Sequence, residues 1–221
     1  MSSHKVMPAP TPEPTPAHIP AHIPDHAIKA ARVSVRPTVQ ADWPVLKAVR
    51  LAALADAPTA FGVSHAEALA NPDSQWMARA AGTGPGRFFL AFQDERAIGM
   101  AASVRHDDGR ASLIAMWVAP AARGMGAADL LVDAVKARAA ADGARDLILE
   151  VAPGNARAVD FYRRHGFRFQ SHREALASHP HIELQRMGWH VVAAAGDGNA
   201  HSASAAPAAS AVARPMFDPV Q

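Results

Sequence analysis

Residues 118–131 read "VAPAARGMGAADLL": an apolar run, two glycines one residue apart, then an amphipathic stretch. Glycine is used where φ must be positive or where another group must approach the main chain closely. The segment before the turn, "ASLIAMWVAP" (111–120), is apolar, ends at Pro120 and reads as a strand. After the turn, Ala127, Leu130, Leu131, Ala134 and Val135 form one stripe opposite Asp129, Asp133 and Lys136, which is a helix with one face on a core. A strand, a bare turn and a helix in that order bring unpaired N–H groups and the positive end of a helix dipole to one point. That point is suited to an anion, and Arg123 stands beside it.

The flanks restrict the architecture further. "ARVSVR" (31–36) alternates and predicts a first strand. Residues 40–57 carry Val45, Leu46, Val49 and Ala52–Ala53 on a helical stripe, with Pro44 in the first turn and Asp42 as the expected N-cap. A less regular helical stretch spans about 65–81, and "GTGPG" marks a loop. "RFFLAFQDERAIGMAASVR" (87–105) is two apolar runs joined by Asp94-Glu95-Arg96, a β-hairpin. "LILEV" (147–151) is a short buried strand. "NARAVDFYRRHGF" (155–167) is a helix capped by Asn155, with Arg163 and Arg164 near its end and Gly166 at C′. "FRF" and "IEL" close the order β-α-α-β-β-β-α-β-α-β-β, an α/β (α+β) mixed sheet flanked by helices.

Composition sets outer bounds. The 221 residues carry 49% hydrophobic and 19% charged side chains, enough for one domain with two tails. The tails are residues 1–28, rich in Pro, Ala and His, and 191–221, made of small residues; both are expected to be disordered, leaving 29–190 as the domain. His18, His22 and His26 recur every four residues, but Pro20 and Pro24 interrupt the helix that would turn them into a metal face. A formal charge of +2 demands neither nucleic acid nor an anionic membrane. There is no cysteine, no apolar leader and no membrane-length apolar run, so the expected home is the cytoplasm.

Three anion sites compete for the glycine turn. A phosphate-binding P-loop needs Lys and Ser/Thr after its second glycine, where this chain has Ala127-Ala128. A dinucleotide fingerprint is met by Gly124-x-Gly126 and by Glu150 at the end of the next strand, yet its third glycine position is Asp129. The third site starts from Arg123. Arg123-Gly124-Met125-Gly126-Ala127-Ala128 resembles the R-x-x-G-x-G/A signature of the GCN5-related N-acetyltransferase (GNAT) family, with Ala128 where glycine is also common. Some thirty residues later "EVAPGNARAVDFYRRHGF" resembles that family's next motif, with Asn155, Ala158, Phe161-Tyr162 and Gly166-Phe167 in place. The resemblance is convincing over about 112–169, weaker over 32–105, and absent from the tails.

The resemblance implies the acyl-CoA N-acyltransferase fold, with a mostly antiparallel sheet, and acetyl-CoA as co-substrate without a metal. Its pyrophosphate would lie on the N–H groups of Gly124, Met125, Gly126, Ala127 and Ala128, with Arg123 alongside. The backbone of Met116, Trp117 and Val118 would pair with the pantetheine arm where that strand splays from its neighbour. Asn155 would bond the arm, and Tyr162, seven residues on and on the same helical face, would protonate the leaving thiolate. The Trp117 side chain is expected in the core, and His165 at the helix end. Glu150 is a candidate base as much as a structural carboxylate. Asp56 and Glu67 read as solvated surface that could also attract a cationic amine. The implied reaction is N-acetylation of a small-molecule amine. A protein N-terminus or lysine as acceptor, a non-catalytic acyl-CoA-binding module, and a homodimer are left open.

Overall fold

In a computed structural model that describes residues 32–191, the glycine turn lies at the middle of a seven-stranded sheet of order β1-β2-β3-β4-β5-β7-β6. The strands are β1 (Val33–Pro37), β2 (Gly86–Gln93), β3 (Arg96–Arg105), β4 (Arg110–Val118), β5 (Asp146–Val151), β6 (Arg168–Leu176) and β7 (His179–His190). The helices are α1 (Trp43–Asp56), α2 (His65–Ala70), α3 (Asp73–Ala81), α4 (Ala127–Ala141) and α5 (Ala156–Arg164). Every neighbouring pair is antiparallel except β4–β5, so the mixed, mostly antiparallel sheet expected from the sequence is the one formed. The expectations for residues 1–28, the histidine repeat included, and for 192–221 fall outside the described residues. Val191 is still tied to the domain, its N–H donating to Arg145 O at 3.0 Å.

Residues Ile98–Val104 of β3 are all buried, because both α1 and α4 pack against this strand. Leu46 and Leu54 of α1, Leu90, Met100 and Leu113 of the sheet, Leu131 of α4 and Leu147 and Leu149 of β5 are fully enclosed. Each such side chain contributes roughly 1.5–3 kcal/mol relative to an exposed one, so the middle of the sheet is its rigid part. A rigid middle is what a site at the β4–α4 turn needs.

Several local expectations change. The helical stretch 65–81 is two helices, because Asn71 precedes Pro72 and takes extended backbone (ψ 130°). Asp42 does not cap α1: it sits in a 3-10 turn with helical φ and ψ. Its carboxylate accepts from the Arg36 guanidinium at 2.6 and 2.7 Å and from the Val39 N–H at 2.8 Å instead. β6 and β7 run well past "FRF" and "IEL", since most of β6 is a polar, exposed edge strand that gives no apolar signal. The α5 helix ends at Arg164, with Gly166 (φ +84°) as the left-handed residue after it.

Candidate active site

Among the described residues the only parallel ladder, β4 with β5, covers just three positions, Arg110↔Asp146 to Ser112↔Ile148. Beyond Ser112 the two strands part, and the gap between them opens toward Met116–Val118. The divergence has a local cause in β4. Met100 pairs with Trp117 and Ala102 with Ile114, so two β4 residues, Ala115 and Met116, face the single residue Ala101. Ala115 adopts φ +55°, a conformation costing a non-glycine residue about 1–2 kcal/mol. This bulge turns the strand away from β5 and leaves its edge without a strand partner.

A cavity of about 640 Å³ occupies the gap. One wall is Met116, Trp117 and Val118 with the turn from Ala122 to Ala128; a second is the α5 face bearing Asn155, Ala158, Phe161 and Tyr162; Ala57, Ala60 and Phe61 form a third. The structure thus brings together almost every residue the sequence singled out for a cofactor; Met125, largely exposed, is the one outside the lining. Gly124 and Gly126 both have left-handed backbone (φ +87° and +81°), and a Cβ on either would meet no protein atom within 4 Å. Conformation is what requires glycine at these two positions, and the space above them is open. Gly126 stands at the N-cap position just before α4, and no side chain caps the helix, so its first amides have no intrahelical or side-chain partner. An anion at that end would meet both the open amides and the helix dipole.

Asn155 serves two ends at once. Its Oδ1 accepts from the Ala158 N–H at 3.1 Å, which caps α5, while its residue lines the cavity. Tyr162 is 1% exposed and packs edge-on against Phe161 and Phe167. Burial pushes its phenol above the ordinary tyrosine range, so it stays protonated at neutral pH. His165 does not reach the cavity. Its ring lies 2.9 Å from Asp129 and stacks near Phe161, and its carbonyl accepts from Lys136, which ties α5 to α4.

Trp117 is half-buried rather than a core aromatic, and it lines the cavity. Its indole N–H donates to Asp56 at 2.9 Å, and Arg123 donates to the same carboxylate oxygen at 2.6 Å. Asp56 is exposed, as expected of surface, but paired. Glu67 caps α2 through the Ser64 N–H and hydroxyl, which hold its carboxyl below the ordinary range. Sequence reading also missed Arg157 and Arg164, which join Arg123 as cations around the cavity against Asp129 and Asp160. Their signal was their place in α5 beside Asn155 and Tyr162.

Glu150 lies apart from the cavity lining. Its Oε1 accepts from Arg186 Nε at 2.7 Å across the β5–β7 pair, and its Oε2 is shielded from solvent without a partner. Burial raises its pKa, with Arg186 opposing the shift. Glu150, His172 and Glu174 bring ligand-type atoms within 4.8 Å of one another, but Arg186 already supplies Glu150 with a cation.

A family model described as acetyltransferase (GNAT) family matches residues 51–167. No protein of curated function matches the chain. Among solved structures, an acetyltransferase of the GNAT family from Streptococcus pneumoniae superposes with a TM-score of 0.61 at 18% identity, covering 73% of this chain and 100% of that one. The ribosomal-protein-S18-alanine N-acetyltransferase of Escherichia coli superposes with a TM-score of 0.55 at 16% identity, covering 77% and 100%. The ribosomal-protein-alanine N-acetyltransferase of Brucella melitensis gives 0.57 at 19%, covering 71% and 99%. At these identities the likeness is one of fold.

Proposed function

The chain belongs to the acetyltransferase (GNAT) family, and from that premise we propose that it moves the acetyl group of acetyl-CoA to a primary amine of a small molecule. The observation that carries the reading is the cavity itself. It joins an unpaired strand edge, which suits an extended amide-bearing arm, to the open amides of α4, which suit a pyrophosphate. Three arginines against two aspartates leave its lining net positive, as a polyanionic cofactor needs.

Acetyl-CoA would supply the acetyl group as a thioester, already activated for transfer. The backbone of Met116–Val118 holds the arm, and Gly124–Ala128 with Arg123 hold the diphosphate. Asn155 offers its amide N–H groups to the arm while its oxygen keeps the helix cap. As the amine nitrogen bonds to the acyl carbon and the C–S bond breaks, the Tyr162 hydroxyl donates to the departing sulfur as general acid, and the phenol, whose charged form burial disfavours, regains its proton from solvent as the thiol leaves. Glu150 is the proposed acceptor of the amine's proton, since burial raises its affinity for one. Oε2, which the pair with Arg186 leaves without a partner, is the atom that would take the proton, relayed from the cavity because Glu150 does not line it. Ser178, in the β6–β7 turn, donates to Phe61 O at 2.5 Å and ties that turn to the third wall, which supports a small acceptor.

Thiol release with acetyl-CoA and a panel of small amines, alanine-ended peptides and lysine peptides tests the reading. Acetylation of a small amine supports it. Acetylation of peptides alone would move the acceptor to protein. Acetyl-CoA binding with no thiol released from any amine would make the chain an acyl-CoA-binding module.

A further inference from the structure

Asp56 is the last residue of α1, where a carboxylate meets the negative end of the helix dipole, and the last turn holds no basic residue to offset it. The offset comes from elsewhere in the chain. Asp56 Oδ2 accepts from Arg123 Nη2 at 2.6 Å and from Trp117 Nε1 at 2.9 Å. Arg123 is gripped at a second point, its Nε donating to Val118 O at 3.1 Å. A guanidinium has five N–H donors in a rigid plane. Two are engaged here, so the plane is fixed while three donors remain, in a residue that lines the cavity beside Gly124 and Gly126.

We propose that Asp56 is a positioning residue for the cofactor: it holds Arg123 ready at the diphosphate end of the cavity and anchors Trp117 of the same wall through the same oxygen. This rests on the acetyl-CoA reading above. Arginine carries large rotamer entropy, and ordering it before binding removes that cost from the binding step. Asp56 also offsets part of the Arg123 charge. Both side chains are partly exposed, 27% and 38%, so that opposing effect is screened. Preordering rests on the geometry of two hydrogen bonds, to Asp56 and to Val118 O, and not on charge alone.

The test uses the full chain, calorimetric titration, and two probes: acetyl-CoA, and S-acetylpantetheine, which has the same thioester arm without the diphosphate. Asp56→Asn keeps the size and an oxygen for Trp117 while removing the ionic hold on Arg123. Its acetyl-CoA Kd is expected to rise about tenfold, its S-acetylpantetheine Kd to stay within about twofold of wild type. In an Arg123→Ala background the same change should add nothing. Asp56→Ser replaces Asn should that variant lose the fold. An unchanged or lower acetyl-CoA Kd, or equal losses with both probes, overturns the proposal, the latter making Asp56 purely structural. Failure of the wild-type chain itself to bind acetyl-CoA would instead overturn the cofactor reading on which this one stands.

Discussion

Taken as one wall, β4, the glycine turn and α5 owe their shape to backbone and lie within residues 116–164, whereas the wall at residues 57–61 is held by side-chain contacts between distant segments. On the first wall, Gly124 and Gly126 supply left-handed backbone, the bulge at Ala115 supplies an unpaired strand edge, and Asn155 caps its own helix. On the second, Phe61 is pinned by Ser178, 117 residues away, and Asp56 is held by Trp117 and Arg123, 61 and 67 residues away. The glycines and the helix cap leave local marks in a sequence. Side-chain contacts between distant segments do not.

The sharpest way to break this contrast is at Tyr162, where the backbone wall is proposed to do chemistry. Tyr162→Phe keeps the ring against Phe161 and Phe167, and kcat should fall by about 10²–10⁴. The acetyl-CoA Kd should change by less than about tenfold, because the oxygen acts mainly in the transition state. Burial raises the phenol's pKa, so Tyr162 remains a proton donor up to at least about pH 10, its ordinary value. A kcat profile showing an alkaline fall near pH 8 in wild type but not in the variant would contradict that role.

Glu150→Gln comes next. It keeps an oxygen for Arg186 and removes the charge, and kcat should drop about 10²-fold, the lower end for a general base, with acetyl-CoA Kd unchanged. Unaltered turnover would return Glu150 to a structural pair with Arg186.

These two residues also show what was legible. Tyr162 and Asn155 were readable because one helix, with its cap and its seven-residue spacing, sets their relation. Glu150 was readable as a carboxylate on a buried strand. Its direction was not, because that depends on the β5–β7 register and on Arg186. Asp42 looked like a cap until Arg36, six residues upstream, claimed its carboxylate. Pro72 did carry a signal for the break between α2 and α3, through its effect on Asn71. The Ala115 bulge carried none, since alanine is not a residue that announces positive φ.

Asn155 separates cap from ligand contact within the backbone wall. Asn155→Asp keeps the capping oxygen and loses the amide donors, so thermal stability should hold within about 0.5 kcal/mol of wild type while acetyl-CoA Kd rises about tenfold. Asn155→Ala should lose about 1 kcal/mol of stability as well. Equal stability in both variants would mean the cap carries nothing. The smallest effect on binding is expected on the other wall: Ser178→Ala removes two hydrogen bonds, to Phe61 O and His179 Nδ1, costing roughly 1–3 kcal/mol of stability, and should leave acetyl-CoA affinity unchanged. A weakened affinity there would show that the β6–β7 turn, and not Asp56 alone, acts on cofactor binding from this wall.

The most direct measurement is titration of acetyl-CoA into wild type and Gly126→Val. Valine at φ +81° is strained by about 1–2 kcal/mol, and its side chain would enter the open space above α4. Wild type should bind one acetyl-CoA per chain, and a hundredfold excess over Kd should stabilise it by about 2.7 kcal/mol. The variant should fold yet show neither heat nor stabilisation. Equal binding by both proteins, or wild type stabilised by NADH or ATP but not by acetyl-CoA, would contradict the account.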